Sequence, residues 1–191
     1  MKKVFLLHAL LFLFSFQAAL SQDLPPWLDD VIYPLLDFHP YIGVAPVEEN
    51  AMPFDPALDY KFVIDIYDSV KDSSAVHPGL TEVARTINLH IANGVPLEKL
   101  EVVAVIHGPA MWSILADRAY QDKYDISSPN LVALQELKQV GVDFYLCGQT
   151  MRLQNVPKEN VHSAIEIALS AKTTLIMLDQ KGYSYLNVNE D

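Results

Sequence analysis

The chain has 191 residues, of which 51% are apolar, and sets 24 acidic against 13 basic side chains for a formal net charge of −11. An acid excess on that scale repels phosphate backbones, and Lys and Arg gather in no stripe, so nucleic acid is excluded as a partner. Cys147 is the single cysteine, which excludes an intramolecular disulfide.

Lys2 and Lys3 precede an apolar run over residues 4–20, broken only by His8, Ser15 and Gln17. Ala19 and Ser21 place small residues at the two positions a signal peptidase reads. The pattern predicts a signal peptide over residues 1–21, cleaved after Ser21, and a periplasmic or secreted product. The run is interrupted and shorter than the roughly 20 residues of a membrane span, and no later stretch approaches that length, so no span is expected after cleavage. Cleavage would remove two lysines and no acid, leaving 11 basic against 24 acidic residues and a net charge of −13.

Residues 22–58 form a proline-rich arm. Pro25, Pro26, Pro34, Pro40, Pro46, Pro53 and Pro56 forbid a long helix or an inner strand. Trp27, Ile32, Tyr33, Leu35, Leu36, Phe38, Tyr41, Ile42 and Phe54 make the segment too apolar for a disordered linker. It is expected to pack on its own domain or on a neighbouring subunit.

Residues 59–191 alternate strand and helix. Residues 61–67 (KFVIDIY) read as a strand, and His77-Pro78-Gly79 opens a helix with Leu80, Val83, Ala84, Ile87 and Ile91 on one face, ended by Gly94. A buried strand follows over 101–106, and His107-Gly108-Pro109 turns into a helix through Trp112 and Leu115. Ser128-Pro129 is an N-cap and N1 pair for a helix that Gly141 stops. Strands are then expected over 142–146, around 164–169 and over 183–188, with a helix capped by Ser170 and closed by Gly182 before the last. Five apolar runs separated by helices predict an α/β fold of three layers, helix, sheet and helix, with a mainly parallel five-stranded sheet. Strand order is not readable from this pattern.

Working groups in such sheets collect at the carboxyl ends of the strands, near helix N-termini. His107-Gly108 and Cys147-Gly148-Gln149 both fall there. If their strands are neighbours, imidazole and thiol open onto one cleft, with His107 as a base or hydrogen-bond partner and backbone N–H groups favouring the thiolate. The competing reading makes Cys147 a small buried filler. Asn130, near a helix start, suits either a buried structural hydrogen bond or a pocket contact. Arg152 suits either an anionic substrate or, by preference in so acidic a chain, an ion pair. His77, His90, His107 and His162 have no short ligand spacing, and neither a phosphate-cradling glycine loop nor a G-x-S-x-G elbow occurs, so no metal or cofactor is expected.

Residues 102–108 (VVAVIHG), the Asn130, Leu134, Leu137 and Gly141-Val142 spacing, the strand ending Tyr145-Leu146-Cys147-Gly148 and residues 180–186 (QKGYSYL) stand in the order found in the DsrE/DsrF-like family. The chain resembles that family over roughly residues 59–188. The resemblance implies a sulfur carrier or sulfurtransferase-like protein in which Cys147 holds sulfane sulfur as a persulfide. The strand-end reading beside it makes His107 a catalytic candidate, and Gly108, Asn130, Gly148, Gln149 and Arg152 substrate-binding candidates. Relay members often carry an Arg-Gly pair shortly after the cysteine, whereas Gln149-Thr150-Met151-Arg152 is followed here by Leu153. An exported sulfur donor or acceptor and a homo-oligomeric state are the expected partners. The alternative is a non-catalytic binding or assembly protein with a buried structural Cys147.

Overall fold

A computed structural model describes residues 30–189. The expected signal peptide, its cleavage site and the start of the arm lie outside the described residues. In chain order the elements are β1 (Tyr60–Ile66), α1 (Pro78–Ala92), β2 (Leu100–Ile106), α2 (Asp117–Tyr124), α3 (Leu131–Gln139), β3 (Asp143–Cys147), α4 (Gly148–Leu153), β4 (Ile165–Ala168), α5 (Ala171–Gln180) and β5 (Ser184–Asn187). Among the described residues no helix is long and apolar enough to cross a membrane.

The five strands form one sheet in the order β4-β3-β2-β1-β5, every neighbouring pair parallel. β1 and β2 carry apolar side chains toward both faces, as strands covered on both sides require. Successive residues then divide between two cores. Phe62, Ile64, Ile66, Val102, Ala104, Ile106, Phe144 and Leu146 pack with α1 and α3, while Val63, Val103, Val105 and Cys147 pack with Ala171 and Leu178 of α5.

The topology explains the division. From β1 to β4 each strand is laid beside the last in one direction, and right-handed crossovers then put the intervening helices on one face. After β4 the chain returns across the whole sheet to place β5 beside β1. That reversal sends α5 to the opposite face.

Most predicted elements stand within a residue or two of their expected ends. Gly94, Gly141 and Gly182 follow helices with φ of 95°, 96° and 84°, the left-handed geometry that ends a helix cheaply with glycine. Three details differ. Gly108–Ile114 is a 3-10 helix rather than an α-helix, and it stops because Leu115 turns extended to bridge Val161. Asn130, not Ser128, is the N-cap of α3, and Ser128 instead accepts the Asn130 backbone N–H in the preceding turn. The short α4 directly after Cys147 was not expected.

The described part of the arm lies on its own domain. Leu36 and Ile42 join the larger core, and Asn88 of α1, fully buried, ties them down. Its Oδ1 accepts the Leu36 N–H at 3.0 Å, and its Nδ2 donates to the carbonyls of Leu36 at 2.8 Å and Ile42 at 2.9 Å. Asn88→Ala would strand these backbone groups, each unmet buried group costing about 1–3 kcal/mol. The expected result is a stability loss of roughly 3 kcal/mol, read as a lower urea midpoint at unchanged slope.

Candidate functional site

Cys147 ends β3 and is the N-cap of α4, with φ −61° and ψ 111°. Its strand pairs with β4 so that Cys147 lies opposite Ala168, three residues before α5 begins. Met151 of α4 packs on the core that holds α1 and α3, whereas α5 covers the other face. The connections leaving β3 and β4 therefore depart to opposite sides. Such a reversal opens a crevice at the carboxyl ends of the two strands, where α/β sheets bind their ligands.

Two helix starts converge on the thiol for that reason. Burial opposes ionisation of Cys147, but hydrogen bonds from the backbone N–H groups of Ala171, Thr150 and Gln149 and from the Thr150 hydroxyl outweigh it and hold the thiol below its ordinary value. Donors aimed at sulfur stabilise the anion and not the neutral thiol. The residue is buried, with 7% of its surface exposed. Gly148 makes the convergence possible, because a Cβ there would lie 2.7 Å from the Ala168 carbonyl oxygen.

Thr150 has a second task. Its Oγ1 accepts the Gly108 N–H at 3.0 Å, so the hydroxyl is oriented by the end of β2 and its proton is free for sulfur. Thr150→Val keeps the shape and removes the donor. The midpoint of Cys147 alkylation against pH should rise, and alkylation near neutrality should slow by roughly three- to tenfold, in line with a lost hydrogen bond of about 1 kcal/mol.

β2 and β3 are neighbours, and their last paired residues are Ile106 and Leu146. His107 and Cys147 each come next in their strands, and alternation puts His107 on the face of Val105, where Cys147 also packs. The sequence expectation of a shared edge holds to that extent. The imidazole itself turns toward β1: its Nε2 lies 2.8 Å from Asp65 Oδ1, and its ring packs on Tyr67 with centroids 4.9 Å apart. Tyr185 donates its hydroxyl to Asp65 Oδ2 at 2.8 Å. Among the described residues no hydrogen bond joins imidazole to thiol.

The remaining candidates separate. Gly108, with φ 55°, and Gly148 stand at the edge as expected, and the Gln149 backbone N–H helps to lower the thiol's pKa while its side chain donates to the Leu169 carbonyl at 3.2 Å. Arg152 is exposed on α4 and, among the described residues, makes no ion pair, contrary to the preferred reading of that side chain. Asn130 is 1% exposed and its Oδ1 accepts the His77 N–H at 2.8 Å, which fits the structural alternative. His77 caps α1: Nδ1 accepts the Gly79 N–H, Nε2 donates to the Asp68 carbonyl, and burial pushes its pKa down. A cavity of about 490 Å³ lies between the arm and α1, lined by Ile32, Val44, Val47, Leu89 and His90 among others, and includes neither Cys147 nor His107. Among the described residues no cluster of His, Cys, Asp and Glu could hold a metal ion.

Asp65, Thr150 and Tyr185 were not singled out as site residues by sequence. Asp65 did leave a signal, since a lone carboxylate in an otherwise apolar strand must find partners when buried.

The model of the DsrE/DsrF-like family matches residues 74–188, more than half of the chain. The chain belongs to the DsrE/DsrF-like family. The match begins after β1. Among solved structures, a protein of unknown function from Methanobacterium thermoautotrophicum, MTH1491, is similar with TM-score 0.52 and 19% identity, over 68% of this chain and 99% of that one. The ychN protein from E. coli is similar with TM-score 0.49 and 16% identity, over 67% and 98%. No curated protein matches by sequence.

Proposed function

We propose that this DsrE-like protein is an exported sulfur carrier in which Cys147 accepts sulfane sulfur as a persulfide and hands it on. The observation that carries the reading is the thiol at the sheet's switch point, held toward its anion by N–H groups from the starts of α4 and α5. In loading, the Cys147 thiolate attacks the outer sulfur of a donor persulfide or polysulfide; the donor's S–S bond breaks and its thiolate leaves with the electron pair. In unloading, Cys147 is itself the leaving thiolate, and the same donors stabilise it.

Lys2, Lys3, the apolar run and the Ala19/Ser21 site support export to a periplasm or beyond, so donor and acceptor are other exported proteins or small sulfur compounds. A homo-oligomer is supported by the apolar side chains the arm leaves exposed, notably Ile32, Tyr41, Val47 and Met52.

The test is mass spectrometry of the purified mature protein after exposure to polysulfide. A gain of one sulfur atom, reversible by a reductant and confined to the peptide holding Cys147, is expected. A second reading, a non-catalytic assembly protein, is favoured by the packing of Cys147 beside Val63, Val105 and Leu178. Absence of the adduct would decide for it.

A further inference from the structure

We propose that His107 is the base that takes the proton from the incoming acceptor thiol during unloading, with Asp65 and Tyr185 as positioning residues; this rests on the carrier reading of Cys147. Asp65 is 8% exposed within a strand whose neighbours Val63, Ile64 and Ile66 are buried and apolar. A carboxylate in such a place is costly unless fully partnered. Here both oxygens are committed, Oδ1 to His107 Nε2 and Oδ2 to the Tyr185 hydroxyl, each at 2.8 Å, and the Asp65 carbonyl accepts Asn189 Nδ2 at 3.1 Å.

Two consequences follow for the imidazole. Nε2 carries the proton that it shares with Asp65, so Nδ1, which has no hydrogen bond among the described residues, is the nitrogen able to accept another. The ring is also fixed in place: the His107 N–H donates to the Ile66 carbonyl at 3.0 Å, and Tyr67 packs against the ring. The His107 side chain is 26% exposed, within reach of an incoming molecule.

This divides the labour at the carboxyl edge. The thiol already has its stabilising donors without His107. What they do not supply is a base for an acceptor that arrives protonated. In the step proposed, the acceptor R–SH gives its proton to His107 Nδ1, and the resulting thiolate attacks the outer sulfur of protonated Cys147 persulfide. The new S–S bond gives R–S–SH. The Cys147 S–S bond breaks, its electron pair staying on Sγ as the thiolate, and imidazolium returns its proton to solvent.

The experiment uses the full mature protein loaded with polysulfide and two acceptors. 2-Mercaptoethanol is protonated at neutral pH, whereas 5-thio-2-nitrobenzoate is already a thiolate. His107→Gln and Asp65→Asn are expected to slow transfer to 2-mercaptoethanol by about 100-fold, the lower end of general-base effects, with Tyr185→Phe giving a smaller loss. Transfer to the pre-ionised thiolate should change less than threefold in all of them, a contrast that a general loss of structure would not produce. Equal slowing toward both acceptors in folded Tyr185→Phe and His107→Gln, or no slowing toward either, overturns the proposal while leaving the carrier reading intact. Failure of the wild type to load sulfur overturns both.

Discussion

Cys147→Ser should abolish sulfur loading completely while leaving the protein folded and close to wild-type stability. The exchange is nearly isosteric and keeps a polar atom facing the Ala171, Thr150 and Gln149 N–H groups that hold the thiol's pKa down. Its hydroxyl does not ionise near neutral pH, so no nucleophile remains. Cys147→Ala should lose loading too but cost a further 1–3 kcal/mol, since it leaves those donors facing an apolar methyl. The pH dependence separates the two proteins further. A thiol whose pKa is lower folded than unfolded contributes stability above the unfolded value, about 8.5, and loses it as pH falls through the folded value. Wild type should therefore gain stability relative to Cys147→Ser as pH rises through that window, a difference readable in paired urea titrations.

Gly148→Val should damage both stability and site. The Cβ of any side chain there would fall 2.7 Å from the Ala168 carbonyl oxygen, a backbone atom that cannot swing aside. Relief requires α4 to move from the end of β4, opening the Cys147–Ala168 end of the ladder. A cost of about 2–4 kcal/mol is expected, as for other overpacked sites, together with a rise in the thiol's titration midpoint as its donors withdraw. Gly108→Ala makes a useful contrast. The Cβ there would meet the Tyr67 ring at 2.2 Å, but Tyr67 is half exposed and can rotate away, leaving mainly the strain of φ 55°.

The strands and long helices were legible because burial on both faces writes continuous Val and Ile runs, as in residues 102–106, and because Pro78, Ser170, Gly94 and Gly182 punctuate the helices. Cys147 and His107 were legible as strand-end residues next to glycine. Strand order was not, and it decides the site: only the return of the chain from β4 to a place beside β1 brings the start of α5 to the sulfur. Ala171 and Cys147 are thus partners that no local pattern announces. The six residues of α4 lack a side-chain cap and are too short for periodicity to reveal. Asp65 and Tyr185 lie 120 positions apart and meet only because β5 pairs with β1. The helix expected through Trp112 and Leu115 yielded to a tertiary bridge with Val161, and the helix cap expected at Ser128 yielded to Asn130, whose carbonyl oxygen also secures His77.

Whether Cys147 is a poised thiolate or a buried filler is tested most directly by the rate of its alkylation as a function of pH. Iodoacetamide labelling of the mature protein, followed by intact mass from pH 5 to 10, should give one modification whose rate rises through a midpoint clearly below the roughly 8.5 of free cysteine. A midpoint at or above that value, or a thiol that reacts only when the protein is unfolded, would contradict the account.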